Sequence, residues 1–292
     1  MTIPVYPEYP FQSHFHTIGS HRLHYVDEGQ GPVIIMVHGN PTWSFYYRKL
    51  ITLLSRKNRV IAIDHLGCGL SDKPQDYNYC LQNHINNLSS LVHRLDVESF
   101  SLVVHDWGGA IGMGLAAENP VALEKVMVLN TAAFRSRRIP LRINVCRWPI
   151  IGEFLVRGLN GFAGPAIFMA VSKKMNRDVA EGYLAPYDSW KNRVAVAAFV
   201  KDIPLSPDHP SYQALVRVEQ GLKIIQELRI PMLICWGGKD FCFNKHFYDE
   251  WCNRFPEAET HYFAGSGHYL LEDAFGEIAP LAQQFFHHSN QE

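Results

Sequence analysis

Short runs of apolar, largely β-branched residues recur along the chain, and most end at a glycine or a charged side chain. PVIIMVHG (32–39), RVIAIDHLG (59–67), SFSLVVHD (99–106), EKVMVLNT (124–131) and PMLICWGGKD (231–240) are nearly continuous rather than alternating. That is the pattern of strands covered on both faces. RLHYVDE (22–28) alternates as a strand, and ETHYFAG (259–265) adds another. Helical patterns lie between them at 43–56, at 79–95, from Gly108 to Asn119 where Pro120 stops the run, near 244–254, and from Ala274 to His287. Strand and helix in alternation predict an α/β fold, a parallel sheet with helices on both faces.

The rhythm breaks from about Ala132 to about Ser211, a stretch punctuated by Gly and Pro, helix-like and without strand runs. We therefore expect a core formed by residues 1–131 and 212–292 and a helical cap formed by 132–211. Open sheets of this kind place their sites at the C-terminal ends of the strands. Three of those ends carry candidates in chain order: Asp106, Asp240 in WGGKD, and His268 in GSGHYLLED. This is the nucleophile, acid and histidine order of a hydrolase triad, with aspartate where serine is usual. Gly108 and Gly109 remove side chains where a new helix must pass close to its strand. The strand end His38-Gly39-Asn40-Pro41 supplies a backbone N–H at Asn40 that, with that of Trp107, forms a candidate oxyanion hole. Asp249, Glu272 and Asp273 lie on helical segments and are expected to be solvated surface charges.

Charge removes some classes of function. The 27 Lys and Arg nearly cancel the 28 Asp and Glu, and no basic block tracks a phosphate backbone, so nucleic acid is not an expected partner. FRSRRIPLRI (134–143) interleaves its charges with apolar residues; it reads first as a solvated face and second as an anion or membrane contact. The N-terminus lacks the pattern of a signal peptide, and no run approaches the ~20 apolar residues of a membrane span. We expect a cytoplasmic protein without an integral membrane segment. The six cysteines are scattered without a CxxC pair, and the 15 histidines form no HxxxH or HExxH pattern. Reduced thiols, no metal and no cofactor are the corresponding expectations.

HGNPTWSFYYR, DHLGCGLSDKP, VVHDWGGAIG, WGGKDFCF and GSGHYLLED together resemble the haloalkane dehalogenase family of α/β-hydrolases over about residues 20–287. The resemblance implies a mostly parallel eight-stranded sheet. It also implies Asp106 as nucleophile, His268 as base, Asp240 as its partner, and Asn40 and Trp107 as the groups that hold a departing halide. Asn130-Thr131 stands where some dehalogenases carry the triad acid. With LNTAAFRSRRIPLRI, this points to the third dehalogenase subgroup, which overlaps with β-lactone decarboxylases of bacterial olefin biosynthesis.

The expected reaction is hydrolysis of a carbon–halogen bond through an alkyl ester on Asp106. A serine attacking saturated carbon would be trapped as an ether, whereas an ester can be opened by water activated at His268. The alternatives are decarboxylation of a long-chain β-lactone, then epoxide hydrolysis with Tyr183 and Tyr187 as acids, then a non-catalytic receptor on the same fold. Fluoroacetate-type chemistry is disfavoured, since Trp107 and Ala110 stand where arginines would bind a small acid. The expected partner is a small apolar substrate, an alkyl halide or a long-chain β-lactone. Trp148 and Trp190 are candidates for a third contact to the leaving group. The apolar residues of NGFAGPAIFMAV and RVAVAAFV are expected mostly to form the helix cores of the cap.

Overall fold

In the computed structural model, which describes residue 6 and residues 8–287, each of these apolar runs becomes a strand. β1 (His14–Ile18) and β2 (His21–Glu28) are followed by β3 (Val33–Val37), β4 (Arg59–Ile63), β5 (Phe100–Asp106), β6 (Leu123–Thr131), β7 (Met232–Gly237) and β8 (Glu259–Phe263). They form one eight-stranded sheet in the order β1-β2-β4-β3-β5-β6-β7-β8. β2 runs antiparallel to both β1 and β4, and every other neighbouring pair is parallel.

The helices α1 (Arg48–Leu54), α2 (Leu81–Arg94) and α3 (Trp107–Glu118) link the first strands. Between β6 and β7 come α4 (Leu141–Cys146), α5 (Ile151–Glu153), α6 (Ala163–Met169), α7 (Arg177–Leu184), α8 (Val194–Lys201) and α9 (Tyr212–Glu227). α10 (Lys245–Arg254), α11 (Leu270–Asp273) and α12 (Phe275–His287) complete the order.

Because side chains alternate along a strand, each central strand divides its apolar residues between two cores. Ile35, Val37, Leu102, Val104, Val126, Val128 and Ile234 face the layer of α2, α3 and α9. Ile34, Met36, Val60, Val103, Met127, Leu129 and Leu233 face the opposite layer, which α1 and α12 cover. α2 turns Leu81, Ile85, Leu88, Leu91 and Val92 inward, a 3.6-residue stripe. α3 is different: it is buried nearly all round, pressed between the sheet, α2 and α9. Its small residues make that possible, since a Cβ on Gly112 would lie 2.7 Å from Val104 and one on Gly114 2.4 Å from Ile85.

No strand occurs within the stretch 132–211. Its helices share a small core of their own, built on Cys146, Val156, Ala163, Tyr187, Val196 and Val200. α9 then returns to the sheet layer, where Gly221 packs on Ala117 of α3. No helix among the described residues is long and apolar enough to cross a membrane.

Candidate active site

β5 ends at Asp106, whose backbone sits at φ 52°, ψ −127°, a strained conformation for a residue with a side chain. Close packing around the corner enforces it. A Cβ on Gly108 would lie 1.8 Å from the Val37 carbonyl, one on Gly109 would strike Thr131, and one on Gly39 would strike the Asp106 carboxylate itself. The Thr131 hydroxyl donates to the Asp106 carbonyl and pins the turn from the β6 side. The carboxylate is thereby lifted off the sheet with Oδ1 accepting the Asn40 N–H at 2.6 Å and with the Trp107 N–H as a second donor.

His268 follows β8 and presents Nε2 3.6 Å from Asp106 Oδ2, while its Nδ1 is 2.7 Å from Asp240 Oδ2. Asp240 lies just beyond β7. Its Oδ1 accepts the N–H groups of Cys242 (2.6 Å) and Phe243 (3.0 Å), and its Oδ2 accepts the Asn130 amide at 3.0 Å. Asn130 also bridges to Gly237, donating to its carbonyl and accepting its N–H. The structure thus brings together all five residues expected from sequence: Asp106, Asp240, His268, Asn40 and Trp107.

Burial pushes the Asp106 carboxyl above the usual carboxylate value, opposed by the His268 charge and the N–H groups of Trp107 and Asn40. Burial pulls His268 down, but the charge and hydrogen bond of Asp240, aided by Asp106, outweigh it and hold the imidazole above its ordinary value. His105, on β5, bonds to the His268 carbonyl at 2.9 Å and stacks on Tyr46. Burial keeps His105 well below the ordinary imidazole value, so it supports the loop as a neutral ring. Sequence offered no sign of that role, since a histidine one residue before a candidate nucleophile carries no direction.

The carboxylate and imidazole face a cavity of about 290 Å³. Its wall is mostly apolar and includes Phe134, Ile139, Phe162, Met169, Val200 and Phe247. Trp107 lines it, and its indole N–H has no acceptor among the described residues. The Asn40 side chain is also in the wall, with Nδ2 donating to the Val196 carbonyl of α8 at 3.1 Å. Part of the 134–143 segment is wall as well, so it is not simply a solvated face. Phe162, Pro165, Ala166 and Met169 likewise contribute wall rather than helix core alone.

Several expectations are corrected. Trp148 and Trp190 are about half exposed and line no part of the cavity; the Trp190 ring instead carries the Arg157 guanidinium. Tyr183 and Tyr187 are buried away from it, the first donating to Glu272 at 2.6 Å and the second to the Thr42 carbonyl at 3.2 Å. Glu272 and Asp273 are not solvated. Glu272 pairs with Arg48 and Lys49, and Asp273 accepts the N–H groups of Gly267, Ser172 and Lys173. Asp249 is a surface charge as expected, paired with Lys245. The six cysteines are free, and no cluster of metal-ligating side chains occurs among the described residues.

Comparison with known proteins bears on the family and the fold. Residues 32–275 match the profile of the α/β-hydrolase fold. A cis-3-alkyl-4-alkyloxetan-2-one decarboxylase of Shewanella oneidensis is 44% identical, over 94% of this chain and 88% of that one. A protein of the same name from Xanthomonas campestris is 38% identical over 90% and 91%. Haloalkane dehalogenase 2 of Mycobacterium tuberculosis is 30% identical over 93% of each chain. The crystal structure of a haloalkane dehalogenase from Bradyrhizobium elkani superposes with a TM-score of 0.85 at 22% identity, covering 94% of this chain and 98% of that one. The chain belongs to the α/β-hydrolase fold family, as an enzyme of the branch that holds haloalkane dehalogenases and β-lactone decarboxylases.

Proposed function

We propose that the enzyme converts a cis-β-lactone bearing two alkyl arms into an alkene and carbon dioxide, with Asp106 as the nucleophile. The observation that carries this is the Asp106 carboxylate, held by the Asn40 N–H and facing an apolar cavity beside an unpaired indole N–H. The greater likeness to the two decarboxylases than to the dehalogenases favours the lactone over an alkyl halide. The stretch 132–211 acts as the cap, because its α4, α6 and α8 segments close the cavity over the ends of the strands.

Attack by Asp106 on the saturated ring carbon breaks its bond to the ring oxygen and expels the ring carboxylate. The indole N–H of Trp107 and the second amide hydrogen of Asn40 are neutral donors suited to that anion. The adduct is an alkyl ester with a carboxylate on the adjacent carbon. Loss of carbon dioxide breaks the carbon–carbon bond, its electron pair forms the double bond, and Asp106 departs as carboxylate. No water is consumed. His268, held by Asp240, stabilises the charge that returns to Asp106.

An alkyl halide gives the same ester without the neighbouring carboxylate. Release then requires water activated by neutral His268, with the tetrahedral charge on an Asp106 oxygen received by the N–H groups of Asn40 and Trp107. That is the dehalogenase reading; the free indole donor would serve a halide as well as a carboxylate, and the likeness to haloalkane dehalogenase 2 is the observation in its favour.

One pair of variants separates the two. Asp106→Ala abolishes both reactions. His268→Ala slows alkene release from a cis-β-lactone but does not stop it, while a long-chain bromoalkane stalls as a stoichiometric adduct visible by intact-protein mass spectrometry. A wild-type enzyme inert to the lactone and fast on bromoalkanes would overturn the decarboxylase reading. No adduct from any reactive bromoalkane would remove Asp106 as nucleophile.

A further inference from the structure

We infer that the face formed by residues 137–159 docks on an anionic lipid bilayer and opens the cavity toward it. The stretch is unusual on two counts. Residues 132–171 carry six arginines and a single acid, Glu153, in a chain whose net charge is −1. Its apolar side chains point outward: Ile150 is 84% exposed, Leu141 76%, Leu159 63%, Phe154 56%, Ile151 53% and Trp148 49%.

These residues belong to one continuous segment of the cap. α4, α5 and the wide helical turn Phe154–Gly158 follow one another, joined by the bonds from Gly152 N–H to the Trp148 carbonyl and from Phe154 N–H to the Ile150 carbonyl. At its tip stands Trp148-Pro149-Ile150-Ile151. Ile150, whose side chain is exposed, holds φ at +64°, which a β-branched residue rarely adopts, at a cost in strain. Contiguous exposed apolar surface of this kind marks an interaction site. A tryptophan beside projecting isoleucines suits the boundary between headgroups and acyl chains.

Charge selects the occupant. Arg137, Arg138 and Arg142 have no carboxylate partner among the described residues; Arg142 lies over the Phe241 ring. Unpaired cations on the same segment as an exposed apolar tip complement an anionic membrane surface, where each contributes attraction that salt screens. The active-site cavity also borders this stretch. A cleft lined by Leu141, Val145 and Leu155 shares Pro140, Arg142 and Phe241 with the active-site cavity. An apolar ligand dissolved in a bilayer would therefore enter without crossing water.

This inference rests on the surface rather than on the assigned reaction, so the two are tested separately. Purified enzyme is sedimented with vesicles of phosphatidylcholine containing phosphatidylglycerol, and with vesicles of phosphatidylcholine alone. Binding is expected to the first, weakened by added salt, and much weaker to the second. Ile150→Asp should reduce partitioning about tenfold, and Arg137→Glu should remove much of the preference for phosphatidylglycerol. Asp tolerates a positive φ better than isoleucine, so the fold is retained. Both variants should turn over a short, water-soluble bromoalkane like the wild type. Absence of binding to either vesicle, or unchanged binding by Ile150→Asp, overturns the inference. So does a dimer in sedimentation velocity that Ile150→Asp dissociates while no vesicle is bound, since a second copy would then be the occupant.

Discussion

Asn130 occupies the strand end next to Asp240 and makes three hydrogen bonds, to Asp240 Oδ2 and to both backbone groups of Gly237. Replacing it with aspartate sets a second carboxylate where an amide donor stood. Asn130→Asp should slow hydrolysis of a preformed alkyl ester at least tenfold, through a displaced Asp240, and leave the alkylation step nearly unchanged; rapid-quench measurement of the two steps checks this. His268 yields a second prediction. In the free enzyme its imidazole is held above the ordinary value of about 6.5, and the Asp106 charge is one of the causes. In the proposed ester on Asp106 that charge is absent, so the imidazole should fall in that intermediate. Hydrolysis requires the neutral ring, so its rate rises with pH and levels off above that lower value. The midpoint of single-turnover hydrolysis should therefore lie below the NMR titration midpoint of His268 in the free enzyme, and coincident midpoints would contradict it.

At the scale of elements, the corner from β5 to α3 was legible because three local signals agree: a run of β-branched residues, a polar tip, and two glycines at its exit. Those glycines permit a direct test. Gly108→Ala meets the Val37 carbonyl and should destabilise the protein by about 3 kcal/mol, as overpacking does. Gly276→Ala, in α12 with open space around it, should stabilise by about 0.5 kcal/mol. Urea unfolding compares the two. What sequence hid was direction and distant partners. β1 was missed because HFHTI alternates half-buried and exposed side chains at a sheet edge. Glu272 looked like a surface charge because its partner Arg48 lies 224 residues away. Trp148 and Trp190 were misplaced because their chemistry suits a halide site whichever way they point.

For the molecule as a whole, burial of histidines sets the acid limit. His38, His65, His84 and His105 are buried, and burial holds each below its ordinary value, His84 at about 3. The unfolded chain takes up protons near pH 6.5 that the fold refuses. The contribution of these four rings should thus be level above about pH 6.5 and fall below it, by about 1.4 kcal/mol per pH unit for each ring. His268, raised rather than lowered, opposes them as one group against four. Both ring nitrogens of His84 lack partners, and the ring stacks on Phe199 at 4.4 Å, so His84→Phe should flatten the acid limb by about one proton in urea unfolding across pH. Finally, α12 lies over Met127 and Leu129, strand residues made far earlier in synthesis. At about 5–20 residues per second, that apolar face waits uncovered on the order of ten seconds while the ribosome makes residues 132–287. Over most of that interval Asp106, Asn40 and Trp107 exist without His268, so on the proposed roles a nascent chain has its nucleophile before its base.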